Sequence, residues 1–401
     1  MNFLDKFNKL VPEDKIGIVL SILSIIALLI TLYYINSLIW IDEAFTIAVT
    51  KKPIFAMFDD LLHDIHPPFY YVILNFVFSV FSFLKISIDE VILAKLVSAI
   101  PMILLMIFSF TKLRKEFGWL FSGIFALCII TMPHMMIYSI EVRMYSWALL
   151  FTTLTMFYAY KITIGSKKVY WVLLTIFSSL AMYTVYNSFF GILLIYLALL
   201  VWIILKNKDE LKKWLLSSIS TVILYIPGLI FLINNMATMG QFHLIHEKSL
   251  LLMNVQTFIY VFFDVRGWLL SKEVFPYYSF DFLMVLKILA AFLLAIAFLV
   301  LLYNFIIKKR ETSFLNYGII IFPLSIILGI VISGLMGTAF PLHVLALLGI
   351  FWISFSFLLS KSYSNKKIFL PLIIILLFSS FVTIGSFVQY EQENRLCLEF
   401  R

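Results

Sequence analysis

Long apolar runs separated by short polar breaks organise the whole chain. They fall at 16–40, 91–110, 117–137, 144–164, 168–184, 187–205, 214–233, 282–307, 315–335, 340–360 and 367–388. Most match the ~20 residues that cross a bilayer core as a helix. The pattern therefore predicts an all-α polytopic membrane protein with about 11 transmembrane helices. A further run, 67–84, follows His66-Pro67-Pro68 and is also apolar enough to span. The first run is too long for a cleavable signal and has no small-residue cleavage site, which predicts an uncleaved first helix. No internal repeat or linker divides the chain, so residues 1–401 read as one membrane domain.

Composition agrees. Hydrophobic residues make up 63% and charged residues 13%, against about 25% charged in soluble domains. Mean hydropathy is +1.05. These values exclude a water-soluble enzyme, a disordered chain and a nucleic-acid-binding domain. The two cysteines, Cys128 and Cys397, cannot form a disulfide framework or a cysteine metal motif.

Charge decides whether 67–84 crosses. If it does not, and the N-terminus is cytoplasmic, 19 lysines and arginines face the cytoplasm and ten face outward. If it does, every later loop flips and the count becomes 11 inside and 18 outside. Cytoplasmic loops carry the excess of Lys and Arg, so 67–84 is expected to lie in the interface or to dip in and return. Residues 41–93 and 234–281 then form two long outer loops, joined on that side by a short link at 138–143. This is the topology of a multi-pass protein of the cell membrane with a cytoplasmic N-terminus.

The outer loops hold the candidate chemistry. Asp42 and Glu43 stand where the first run ends, placed to act as general base or to bind a cation. They also fit a solvated helix start, where acids are favoured. Residues 44–62 predict short amphipathic helices broken at Pro53. In His63-Asp64-Ile65-His66-Pro67-Pro68-Phe69-Tyr70-Tyr71, Asp64 and His66 share a face of an extended stretch. A divalent cation there is conceivable, but no spacing matches a zinc pattern. Arg143, in Glu141-Val142-Arg143-Met144-Tyr145, suits a phosphate oxygen, or a pairing with Glu141. Lys95 lies inside an apolar run, where a lysine needs a partner or must snorkel. A base and several cations at one lipid surface suit a lipid-phosphate substrate.

Asp42-Glu43-Ala44, the Asp64–Tyr71 stretch and the Glu141–Tyr145 stretch together resemble the membrane glycosyltransferases of the GT-C fold. The nearest likeness is to the protein mannosyltransferase group (glycosyltransferase family 39), which includes the aminoarabinose transferases of lipid A. The likeness covers about residues 1–240 in motif and the remainder only in hydropathy. It implies inverting sugar transfer from a polyprenyl-phosphate donor to an acceptor on the outer face, without a required cofactor. Asp42 would be the catalytic base, with Glu43 assisting or orienting. His66, Lys95 and Arg143 would hold the donor phosphate, and Asp64, Tyr70, Glu141 and Tyr145 would contact substrate. Lys95 stands where the family usually has Arg. Val185 replaces the His of a Tyr-Thr-His-Tyr stretch, and Phe340-Pro341-Leu342-His343-Val344 lacks an expected Arg. The soluble outer domain of some relatives is not expected here, so acceptor recognition would fall to the outer loops, with Asp264, Arg266 and Trp268 as candidates. The acceptor itself (protein, lipid or glycan) is open. Rival readings are a transporter or lipid flippase, and a scaffold protein that has lost activity. Transporters tend to have repeats and midplane charges; here the charges gather at one face.

Overall fold

The computed structural model describes residues 10–64, 66–132, 134–243, 282–308, 313–335 and 342–399. Every regular element among them is a helix. Nine of these helices are long and apolar enough to cross a membrane. Inside a bilayer no water can satisfy backbone N–H and C=O groups, and helices satisfy them internally. The chain is a multi-pass membrane protein.

The longest of the nine, Glu90–Thr131 with 42 residues, is folded back on itself. A straight helix would hold residues 109 and 122 about 20 Å apart. Instead, Ser109 Oγ donates to the Ser122 carbonyl at 2.9 Å, and Ser122 Oγ returns a bond to the Ser109 carbonyl at 2.8 Å. The chain reverses near Gly118, whose φ of +89° is accessible to glycine and strained for other residues. The returning arm packs against Pro12–Tyr33 at very close range. A Cβ on Gly17 would run into the Trp119 backbone, and one on Gly123 into the Gly17 carbonyl. Small residues permit this approach where no hydrophobic drive exists between helices in lipid.

Leu345–Ser364 lies at the centre, with 89% of its apolar window buried. Lys208–Asn235 and Val285–Lys308, at 22% each, line the periphery. The apolar run at 67–84 forms the helix Phe69–Phe83 of 15 residues. At 1.5 Å per residue it reaches about 22 Å, short of the ~30 Å hydrocarbon core. The run at 168–184 forms a 17-residue helix, Lys168–Thr184. Residues 41–61 form two short helices, Ile41–Thr50 and Ile54–Leu61, that part at Pro53. Asn75 ties the first of them to Phe69–Phe83, donating to the carbonyls of Thr50 (2.7 Å) and Lys52 (2.9 Å).

Polar contacts separate the two ends of the bundle. At one end Lys161 pairs with Glu116 at 2.8 Å, and Glu210 accepts from Ser166 and from Lys213. The other end gathers Asp42, His66 and Arg143. The helix Leu211–His243 reaches that end through a modified stretch around Pro227. There the Tyr183 hydroxyl stands in the backbone ladder, donating to the Leu224 carbonyl at 2.9 Å and accepting from the Gly228 N–H at 3.1 Å. A side chain inserted into the ladder is a recognised cause of helix bending.

Asp264, Arg266, Trp268, Phe340 and Pro341 lie outside the described residues, as do the side chains of His343 and Cys397. Of the expected loop 234–281, residues up to His243 continue a helix, and 244–281 lie outside.

The Gly17–Gly123 crossing makes a stability prediction. Gly123→Val places a branched side chain against backbone and should cost about 1–3 kcal/mol or more, lowering the melting temperature in detergent. Gly165→Ala, with nothing within 4 Å of the added carbon, should leave it unchanged. Equal melting of both variants would refute the close crossing.

Candidate functional site

The site is built where the helix Ile41–Thr50 meets the link 141–144. Glu43 stands at the third position of that helix. Its Oε2 accepts the Trp40 N–H at 2.8 Å, the reach-back bond of a helix start. Its Oε1 accepts the Val142 N–H at 2.7 Å, from a residue 99 positions away. The side chain is buried. Burial pushes its pKa up, opposed by the two N–H bonds and by the charges of Lys95 and Arg143. Glu43 is thus a bracket between two segments, with both oxygens occupied.

Asp42 is one residue away and has the opposite character. Successive helical residues point about 100° apart, so while Glu43 faces inward Asp42 is exposed. No donor among the described residues bonds its carboxylate. Its charge acts on His66, Arg143 and Tyr145.

Arg143 sits in the link between the helices Met135–Ile140 and Tyr145–Gly165, and only 5% of it is exposed. A tight turn, with the Arg143 N–H on the Glu141 carbonyl at 2.7 Å, aims its side chain toward His66. Its Nη2 lies 2.8 Å from His66 Nε2, and its Nη1 3.5 Å from Thr46 Oγ1. Tyr145 bonds it as well. A guanidinium has five N–H donors, more than these three partners use.

The His66 contact fixes a protonation state. Guanidinium only donates, so Nε2 carries a lone pair and the imidazole proton sits on Nδ1. That nitrogen faces the Asp64 carboxylate at 3.4 Å. Asp64 also accepts the Tyr71 hydroxyl at 2.8 Å. Burial and the Arg143 charge lower the His66 pKa below its ordinary 6.5, outweighing Asp64. The result is a relay from Tyr71 through Asp64 and neutral His66 to Arg143.

The structure gives three of the expected site residues partners within the protein. His66, expected to hold phosphate, has Nε2 2.8 Å from Arg143 Nη2. Lys95 was expected beside it. Its Nζ instead spends three N–H groups on Ser37 O (3.0 Å), Ser37 Oγ (2.7 Å) and Leu38 O (3.3 Å). It clips the exit of the first helix, and it is buried rather than snorkelling. Tyr70 was expected to contact substrate; its hydroxyl is buried on Ser98 Oγ at 2.7 Å, joining Phe69–Phe83 to Glu90–Phe108. Glu141 is half-buried, and its charge acts on Lys95, Arg143 and Tyr145. Tyr145 is buried edge-on against Tyr138 at 5.0 Å. The structure thus brings Asp42, Glu43, Asp64, His66, Arg143 and Tyr145 together, with Lys95 and Tyr70 as braces behind them. At the Asp64–His66 pair, Arg143 occupies the imidazole lone pair.

Sequence reasoning missed Thr46, Tyr71 and Asn235 as site residues. Tyr71 sits in the quoted Pro-Pro-Phe-Tyr-Tyr stretch and had a signal. Asn235 donates to the His66 carbonyl (3.4 Å) and to the Tyr186 hydroxyl (2.7 Å). Its only signal is a polar residue at the end of an apolar run.

Acid should disturb this relay. Because the folded His66 pKa is lowered, its neutral form contributes fully above pH 6.5 and that contribution is lost as pH falls through the folded value. The melting temperature in detergent should drop on acidification, and drop less in His66→Gln, whose Oε1 can still accept from Arg143. Identical acid responses would remove His66 as their cause.

Compared with known proteins, the chain matches no family model and no curated sequence.

Proposed function

We propose that this chain is an inverting glycosyltransferase of the GT-C fold, taking a sugar from a polyprenyl-phosphate donor on the outer face of the cell membrane. The observation that carries the reading is an exposed carboxylate, Asp42, beside a buried guanidinium, Arg143, that His66 holds in one orientation at 2.8 Å. Two further features support it. Counting the folded-back Glu90–Thr131 as two crossings and Lys168–Thr184 as a short one makes eleven, a number that fits a site opposite the lysine-rich loops. The 15-residue length of Phe69–Phe83 fits a first loop that stays on one side.

In this mechanism Asp42 takes the proton of an acceptor hydroxyl. The acceptor oxygen forms a bond to the anomeric carbon as the bond from that carbon to the phosphate oxygen breaks. The electron pair leaves with the lipid phosphate, and Arg143 stabilises the charge it gains. Glu43, Lys95, His66, Asp64 and Tyr71 are positioning residues. Tyr145 and Glu141 flank the guanidinium. The acceptor remains a hydroxyl-bearing protein, lipid or glycan.

Membranes containing the protein, supplied with labelled polyprenyl-phosphate sugars, should release free lipid phosphate. Asp42→Asn should reduce release by about 10²–10⁴-fold, the range of a lost general base, with unchanged melting. Normal release by that variant would defeat the base assignment, and no release from wild type with any donor would favour a transporter. Glu43→Gln should behave differently. Its amide sets N–H against one of two backbone N–H groups, and should cost about 1–3 kcal/mol of stability, read as a lower melting temperature. An Asp42-like profile for Glu43→Gln would contradict the bracket.

A further inference from the structure

The end of the bundle away from Asp42 and Arg143 holds a recess that the proposed transfer does not use. Its volume is about 910 Å³, within the range of small-molecule sites. Six segments meet around it: the start of Pro12–Tyr33, the turn before Gly118, the ends of Tyr145–Gly165, Ser188–Lys206 and Leu345–Ser364, and the start of Phe314–Ile332. Its floor is aromatic. The Phe117 ring lies 5.4 Å from that of Tyr160 and 5.6 Å from that of Phe357. Phe314, which also lines the recess, is buried.

The lining carries charges of both signs. Lys206 and Lys361 sit in the last turns of Ser188–Lys206 and Leu348–Lys361, with Lys361 Nζ 5.5 Å from the Phe357 ring. Glu116 gives both oxygens to Lys161, at 2.9 and 2.8 Å. The second acid is Glu13, in the first turn of the first helix. Helix ends favour each of these charges singly, acids at the start and bases in the last turn. That preference does not account for the space they surround, since packed elements leave few voids larger than a water.

Sign and shape select the ligand. A pure anion would meet Lys206 and Lys361 but also Glu13, and a pure cation would meet Glu13 but also two lysines. A zwitterion with a phosphate and an ammonium answers both. Hydrocarbon reaches the same place. The recess lies at the ends of spans, where headgroups begin, and Ile164 on its wall is 53% exposed. Val201 and Leu205, on the helix that brings Trp202 and Lys206 to the recess, face outward as well.

We infer that this recess binds the headgroup of a phospholipid that carries a primary ammonium beside its phosphate, drawn from the leaflet at that end of the bundle. Lys206 and Lys361 take the phosphate, Glu13 takes the ammonium, and Ile164 and Trp202 meet the start of the acyl chains. The site stands apart from Asp42 and Arg143, and its occupancy does not depend on the transfer reaction.

Titration of the purified full chain in detergent with three phospholipids of identical acyl chains tests this: phosphatidylethanolamine, phosphatidylcholine and phosphatidylglycerol. The first should bind about tenfold more tightly than the others, the effect of one hydrogen bond to a charged group. A trimethylated head has no N–H for Glu13, and a glycerol head has no positive charge. Glu13→Gln should remove that preference without weakening phosphatidylglycerol, whereas Lys361→Gln should weaken all three. Lys212→Gln, exposed at the same end but outside the recess, should weaken none. Each change swaps a charge for an amide on a half-buried or exposed side chain, so the variants keep their fold. Equal binding of the three lipids by the wild type would overturn the inference and leave the recess to water. Tighter binding of phosphatidylglycerol, or a preference that survives Glu13→Gln, would overturn it too. Displacement of the lipid by an equal concentration of free phosphoethanolamine would overturn the lipid as the source of the headgroup.

Discussion

The site depends on one buried carboxylate. Glu43 joins the start of the helix Ile41–Thr50 to the Val142 N–H, 99 residues along the chain. A carboxylate in an apolar surround is costly unless hydrogen-bonded, and here each oxygen has an N–H. The contact sets the register between the two segments. Asp42 precedes Glu43 by one residue and Arg143 follows Val142 by one, so fixing the inner pair also fixes the outer pair. Lys95 adds a second constraint from the Glu90–Phe108 helix by holding Ser37 and Leu38 just upstream. Both charges that act on Glu43, Lys95 and Arg143, are therefore themselves anchored.

Like residues take unlike roles because their surroundings differ. Asp42 and Glu43 are adjacent carboxylates, one open to solvent and one sealed. Lys95 and Arg143 are both buried cations. The ammonium has three donors, and three backbone and hydroxyl oxygens take them. The planar guanidinium has five, so it can be held by His66 and Thr46 and still serve an anion. His66 is what keeps it aimed. A protonated imidazole would repel Arg143, and a buried neutral one accepts from it.

Hydropathy made the membrane architecture legible because each span must be apolar for its full length. The reversal at Gly118 and the shortness of Phe69–Phe83 are different. Both depend on backbone angles, the first at Gly118 and the second at Lys85, whose positive φ follows the helix end at Leu84. Within the site, the residue types Asp42, Glu43, His66 and Arg143 stood out as charges at one end of the spans. Their roles did not. Whether His66 is cation or acceptor depends on Arg143, 77 residues away. Whether Lys95 faces a ligand or a loop depends on Ser37, 58 residues away. Asn235 stayed invisible because its partner is a main-chain oxygen 169 residues distant. No local pattern encodes such contacts.

The arrangement also has a direction. In the proposed transfer, negative charge moves from the acceptor oxygen to the departing phosphate. The exposed Asp42 carboxylate stands at the side where the proton leaves, and the buried Arg143 guanidinium at the side where charge arrives. Fixed charges in a low-dielectric setting act far more strongly than the same charges in water, and they need no reorganisation as the reaction proceeds. That advantage requires Arg143 to stay charged, buried and still. The chain Tyr71–Asp64–His66, with His66 neutral, meets the last condition without bringing a second positive charge beside the guanidinium. A cationic His66 would have added charge but lost orientation, since only the lone pair on Nε2 can receive the Arg143 N–H.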